Sequence, residues 1–161
     1  MRLELSGTQE IAAPAEVIWQ HLLDYEFIAA AAPGVESAEL IDPEHFRVIA
    51  SLGVGSIRLR FALQVELFDV QPPSHLRMSV KGSAPGSALR AEAGASIASA
   101  GPLASTVAWT IASDVHGNVA GTGARLLQGT ARKLTIEFWE NFATRAAEKV
   151  EESGGSPAEN S

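Results

Sequence analysis

His21 and Asp24 stand one helical turn apart in EVIWQHLLDYEF, a spacing at which an imidazole and a carboxylate can work as an acid–base pair. A helix-end histidine capped by an aspartate is the simpler reading of the same residues. Asp114 and His116, in DVHG at the end of a strand, suit turn chemistry better than catalysis. The four histidines, at 21, 45, 75 and 116, show no metal-ligand spacing and no adjoining carboxylate cluster, so no metal site is expected. With no cysteine there is no thiolate nucleophile, zinc cluster or disulfide framework. No G-x-S-x-G elbow is present either.

The run GNVAGTG at 117–123 opens a helix, where glycines and free amides can hold an anion. It lacks the phosphate-loop and dinucleotide patterns and follows a strand of an antiparallel series. Close approach of helix to sheet is therefore the expected reason for its glycines. Arg58, Arg60, Arg77 and Lys81 alternate outward on consecutive strands, as a basic patch for an acidic partner or, more simply, as a solvated sheet face. The 161-residue chain carries 19 acidic and 12 basic residues, net −7, which offers no footprint for nucleic acid and at most a peripheral contact with a membrane. No signal peptide or membrane span is evident, and a cytoplasmic location, at most at the inner face of the membrane, is expected.

The elements that must position these residues follow from periodicity. Arg2 to Ile11 reads as a strand, AEVIWQHLL as a short helix after Pro14, and 25–32 as a second short helix ended by Pro33-Gly34. Glu36–Ile41 and His45–Leu52 form a hairpin. SIRLRFALQVELFD alternates strictly, followed by LRMSVKG, ALRAEAGASI and Ser105–Val115. Val119–Val150 has a helical repeat of Leu127, Ala131, Leu134, Phe138 and Phe142, with Gly121, Gly123 and Gly129 loosening its first turns. This predicts an α+β domain over 1–150, a curved antiparallel sheet of about seven strands around a long C-terminal helix. A polar tail, 151–161, is expected to be disordered.

The face Leu89, Ala91, Ala93, Ala95 and Ile97 is mostly methyl groups, whereas Phe61, Met78 and Trp109 hold the neighbouring strands away from the helix. A cavity between helix and sheet is expected, because apolar pockets of this kind are usual ligand sites. Its predicted lining is Phe27, Ile28, Pro33, Phe61, Leu63, Leu76, Met78, Ala91, Ala93, Trp109, Leu127, Thr130, Leu134 and Phe138. Thr130 and Trp109 would offer a hydrogen bond to a carbonyl oxygen.

The order of elements resembles the START-like (SRPBCC, helix-grip) superfamily, and the chain more narrowly resembles the family of the carbon monoxide dehydrogenase G subunit. The stretches that carry the resemblance are LSGTQEIAAPAEVIWQHLLD, PGV, LGVGSIRLRF, APGSALRAEAGASI and, most specifically, DVHGNVAGTGARLLQGTARKLTIEFWENF. Relatives often carry two phenylalanines where this chain has Phe138-Trp139. The resemblance implies a helix-grip fold in which the two short helices form a lid over one end of the cavity. It implies a non-enzymatic accessory protein of a molybdenum hydroxylase, with dehydrogenase subunits as partners. The apolar ligand would be a respiratory quinone or prenyl lipid, with no intrinsic cofactor. Two alternatives share these residues. One is a cyclase- or dehydratase-like enzyme with His21 or Asp114 as its acid–base group, and the other is an assembly factor that holds no ligand.

Overall fold

The computed structural model describes residues 1–158, with side chains described for 1–152. Strand β1 (Arg2–Ile11) leads into helices α1 (Ala15–Leu22) and α2 (Tyr25–Ala31). Six strands follow: β2 (Val35–Asp42), β3 (His45–Val54), β4 (Ile57–Gln71), β5 (His75–Ala84), β6 (Ser87–Gly101) and β7 (Ala104–Gly117). A single 3-10 turn (Ala120–Thr122) precedes α3 (Ala124–Ala158). The seven strands form one antiparallel sheet in the order β1-β7-β6-β5-β4-β3-β2, so the chain's first strand returns to pair with its last. The elements follow the expected α+β helix-grip plan.

Local chemistry explains the joints. Asp24 ends α1 and begins α2, its carboxylate accepting from the backbone N–H groups of Glu26 (3.0 Å) and Phe27 (3.3 Å). Gly34 turns into β2 with φ +81°, where a Cβ would collide with the Ser51 carbonyl, so only glycine fits there. The α3 helix runs on through 151–158, part of the stretch expected to be a disordered tail; 159–161 lie outside the described residues.

Alternation sends one face of every strand toward α3, and the buried residues on that side form three clusters. The largest joins Ile18, Trp19, Phe27 and Ala31 to Val107, Trp139, Phe142 and Ala146, with Phe142 and Ala146 fully buried. A second joins Leu3, Phe61, Val115, Val119 and Leu127 at the other end, and a third lines β3 and β4 through Phe46, Val48, Ala50 and Val65. The two short helices thus cover one end of the grip against the second half of α3.

Candidate functional site

Strand register turns the inner face into rows. Leu5, Ile111, Ala93, Met78 and Leu67 lie side by side across β1, β7, β6, β5 and β4. The next row is Leu3, Ser113, Ala91, Val80, Val65, and the next Val115, Leu89, Gly82, Leu63, Val48. The smallest side chains therefore fall together in the middle, on β5 and β6. At Gly82 a Cβ would stand 2.6 Å from a Leu63 methyl and 3.0 Å from Leu89, so those leucines fold over the glycine. The backbone of α3 makes its main approaches to β1, β3, α1 and α2, the flanks of the grip. Leu63, Met78, Val80, Ala93, Ile111, Leu134 and Phe138 remain half-buried although they face inward. Apolar surface that is both inward and accessible is what a hydrophobic ligand requires.

The predicted lining residues divide into groups. Phe27, Leu76 and Leu127 are buried within the end clusters and close the grip rather than line it, with Ile28 packed against the first of them. Phe61 is buried in the second cluster, which Leu63 borders, while Met78 and Trp109 flank the first. Ala91, Ala93 and Leu134 occupy the middle, Phe138 packs against the first cluster beside Trp139 and Phe142, and Pro33 sits half-buried at the end of α2. Thr130 lies apart from these. Its hydroxyl donates to the Leu126 carbonyl at 3.0 Å, and it borders an outer groove of ≈670 Å³ along Thr122–Lys133. Helical phase carries Thr130 to the outside, and Ala131 and Thr135 face inward instead. Ser113, Ile111, Val80 and Leu89 join the inner face beyond the predicted lining. Alternation along β5, β6 and β7 marks all four as inward, and Ser113 is the polar member among apolar neighbours.

Five depressions of ≈300 to ≈670 Å³ lie on the outer face of the sheet or along the first turns of α3. The largest on the sheet, ≈450 Å³, is ringed by Arg2, Glu4, Arg77, Glu92 and Thr110. The outward arginines there are neutralised across strands: Arg77 pairs with Glu92 at 2.8 Å, Arg60 with Glu36 at 3.1 Å and Arg2 with Asp114 at 3.1 Å. Arg77 also lies 4.9 Å from the centre of the Phe68 ring. The solvated-face reading of Arg60 and Arg77 fits, and Asp114 points away from the grip.

His21 stacks on Phe27 with ring centres 3.8 Å apart and meets the edge of Phe142 at 6.4 Å. Its Nε2 is buried without a partner. Burial pushes its pKa below the ordinary imidazole value, Lys149 acts in the same direction, and Asp24 opposes both. His45, by contrast, is exposed and bonds on both sides, Nδ1 to Asp42 at 2.8 Å and Nε2 to Glu66 at 3.0 Å. Its hydrogen bond to Asp42 raises its pKa and lowers that of Asp42. Among the described residues no group of three or more side chains is arranged to hold a metal ion. Nor is any helix long and apolar enough to cross a membrane.

Gly121, Gly123 and Gly129 have nothing within 4 Å of where a Cβ would stand, so close helix–sheet approach does not explain them. Gly123 is needed for its φ of +105°, and within the run 117–123 it is Gly117 that presses on a neighbouring backbone, that of Gly86.

A sequence profile of the carbon monoxide dehydrogenase G subunit (CoxG) matches residues 7–147. The chain belongs to the CoxG family. In solved structures the CoxG plan recurs widely. A conserved protein from Geobacillus kaustophilus superposes with a TM-score of 0.84 at 24% identity, over 91% of this chain and 96% of that one. A START superfamily protein from Mycobacterium smegmatis gives 0.68 at 16% identity, over 90% and 97%. The Zhui aromatase/cyclase from a Streptomyces gives 0.68 at 14%, over 93% and 96%. At these identities the likeness is one of fold. Among proteins of curated function, none matches this CoxG chain in sequence.

Proposed function

We propose that this CoxG protein is a non-enzymatic accessory of a molybdenum hydroxylase and carries an apolar ligand, a respiratory quinone or prenyl lipid, on the inner face of the grip. The observation that carries the reading is the band of inward, half-buried apolar side chains around Ala91, Ala93 and Met78, between clusters that close the two ends. A prenyl chain is matched by such a band, since each buried methylene contributes about 0.8 kcal/mol. The head group's carbonyl needs a donor. Among the described residues the Trp109 indole N–H has no protein acceptor, and the Ser113 hydroxyl lies on the same strand beside Ala91. Family membership supports the dehydrogenase as the partner that such a carrier serves.

A cyclase-type enzyme on the same fold would need an inward acid–base group. Asp114 is outward and ion-paired, and His21 is held face-on against Phe27, so neither supports that role. Solvent extraction of the purified protein, followed by ultraviolet spectra and mass, is the test. A quinone or prenyl lipid at near-stoichiometric amount is expected. An empty extract that stays empty after incubation with quinones would overturn the carrier reading in favour of an assembly factor.

A further inference from the structure

The solvent face of α3 carries a pattern that its own chain uses only at Leu126, where a methyl lies over the Gly55 turn between β3 and β4. Leu126, Gly129, Lys133, Ile136, Glu140 and Thr144 recur at steps of three or four residues and form one stripe, opposite the buried Leu127 and Phe142. Leu126 and Ile136 are 45% and 42% exposed. Gly129 weakens the helix, yet a Cβ there would touch nothing in the chain. Charge divides the stripe in two. Between Asp114 and Glu137 there are no acidic residues, and α3 carries Arg125, Arg132 and Lys133 there. From Glu137 to Glu152 the acids are Glu137, Glu140, Glu148, Glu151 and Glu152, against Arg145 and Lys149. Among the described residues, Arg125, Lys133, Glu140 and Glu148 form no ion pair.

We infer that this stripe is a self-association surface, on which α3 packs antiparallel against α3 of a second copy about a two-fold axis between Ile136 and Glu137. That register sets Lys133 against Glu140 of the second copy, Arg125 against Glu148, Gly129 against Thr144 and Leu126 against Ala147. Each contact occurs twice by symmetry. The small residue at Gly129 lets the helices approach, and Leu126 and Ile136 lose their exposure. Sliding by one heptad in either direction brings Lys133 opposite its own copy, or Glu140 opposite its own copy, so like charges select the register. An anionic bilayer is a poorer match. Three cations fall short of the roughly four to eight that mark such sites, and the acidic half of the stripe would face the same lipid. A uniformly acidic protein fails for the latter reason. The seam spans about 31 Å, small for a specific interface, so association in the high micromolar range is expected. It lies on the side of α3 away from the grip and does not depend on what the grip holds.

Sedimentation analysis of the full chain tests this, using wild type, Lys133→Glu, Glu140→Lys and the double variant. Each single change turns two symmetry-related attractions into repulsions and is expected to raise the dimer Kd about tenfold. The double variant restores the pairing with its signs exchanged and should return to within about threefold of wild type. Equal Kd values for all four proteins would overturn the inference, as would a double variant weaker than either single. Because the chain has no cysteine, mixing Gly129→Cys with Thr144→Cys supplies a second measurement. Oxidation should link the mixture faster than either variant alone. Monomers at every concentration together with no such link would overturn it, and so would binding to phosphatidylserine vesicles without self-association.

Discussion

The second half of α3 and the middle of the sheet use inward-facing side chains to opposite ends. Around Phe142 those side chains interlock: Phe27 meets its ring edge at 5.1 Å, Trp139 at 5.4 Å and Phe138 at 6.0 Å, and α2 is tied down where Asn141 donates to the Ala31 carbonyl at 3.0 Å. Around Ala93 the facing positions hold methyl groups, and the larger residues beside them keep part of their surface accessible. Aromatic rings from different elements fill one end, whereas alanines on a strand cannot reach a helix that rests on the flanks. A grip can thus be stabilised at its ends and leave its middle for something else.

The sharpest way to break this contrast is Phe142→Ala. Loss of a fully buried ring at the interlocked end should destabilise by about 3–5 kcal/mol in denaturant titration. A loss below about 1 kcal/mol would mean that end is no tighter than the middle. Asp24→Ala removes the carboxylate that begins α2 and should cost about 1 kcal/mol, with faster amide exchange in 25–31 than in the central strands. In the middle, Ala93→Phe should change stability by less than about 1 kcal/mol while abolishing ligand binding, because the ring takes space left open. A closed core would instead lose about 1–3 kcal/mol to overpacking.

The smallest effect concerns pH, where the two histidines act in opposite directions. The raised folded pKa of His45 means its contribution is complete below about 6.5 and is lost as pH rises through the folded value. For His21 the folded pKa is lowered, so the unfolded chain takes the proton first and stability falls as pH drops below about 6.5. Thermal melts of His45→Ala and His21→Phe between about pH 5 and pH 8 should therefore diverge. The first loses the gain of wild type at acid pH, and the second loses the penalty. Parallel curves would show that neither environment matters.

Much of the fold is legible in the sequence because its signals are local. Strict alternation in SIRLRFALQVELFD marks a half-wet strand whatever lies beside it, and Pro33-Gly34 stops α2 through backbone geometry alone. The site is legible only in outline. Ala91 and Ala93 stand out by their strand, but Thr130, chosen for its hydroxyl, lies one position off the inward repeat of Leu127, Ala131 and Leu134, and that hydroxyl turns back to the Leu126 carbonyl. Phe27 and Leu76 read as lining residues although both are buried in the end cluster. Nothing local announces that Gly82 accepts Leu63 and Leu89, or that Asp114, outward by simple alternation, finds Arg2 across 112 positions of chain.

By itself, then, the sequence determined which residues are strand and helix, which side of each is apolar, and which chemistries have no residues to perform them. Those properties depend on spacing along one backbone. Only the tertiary structure decided which inward side chains meet partners and which stay accessible. That depends on how far α3 stands from each strand, and the distance is set by large residues at the ends of the grip, remote in sequence from the small ones in its middle.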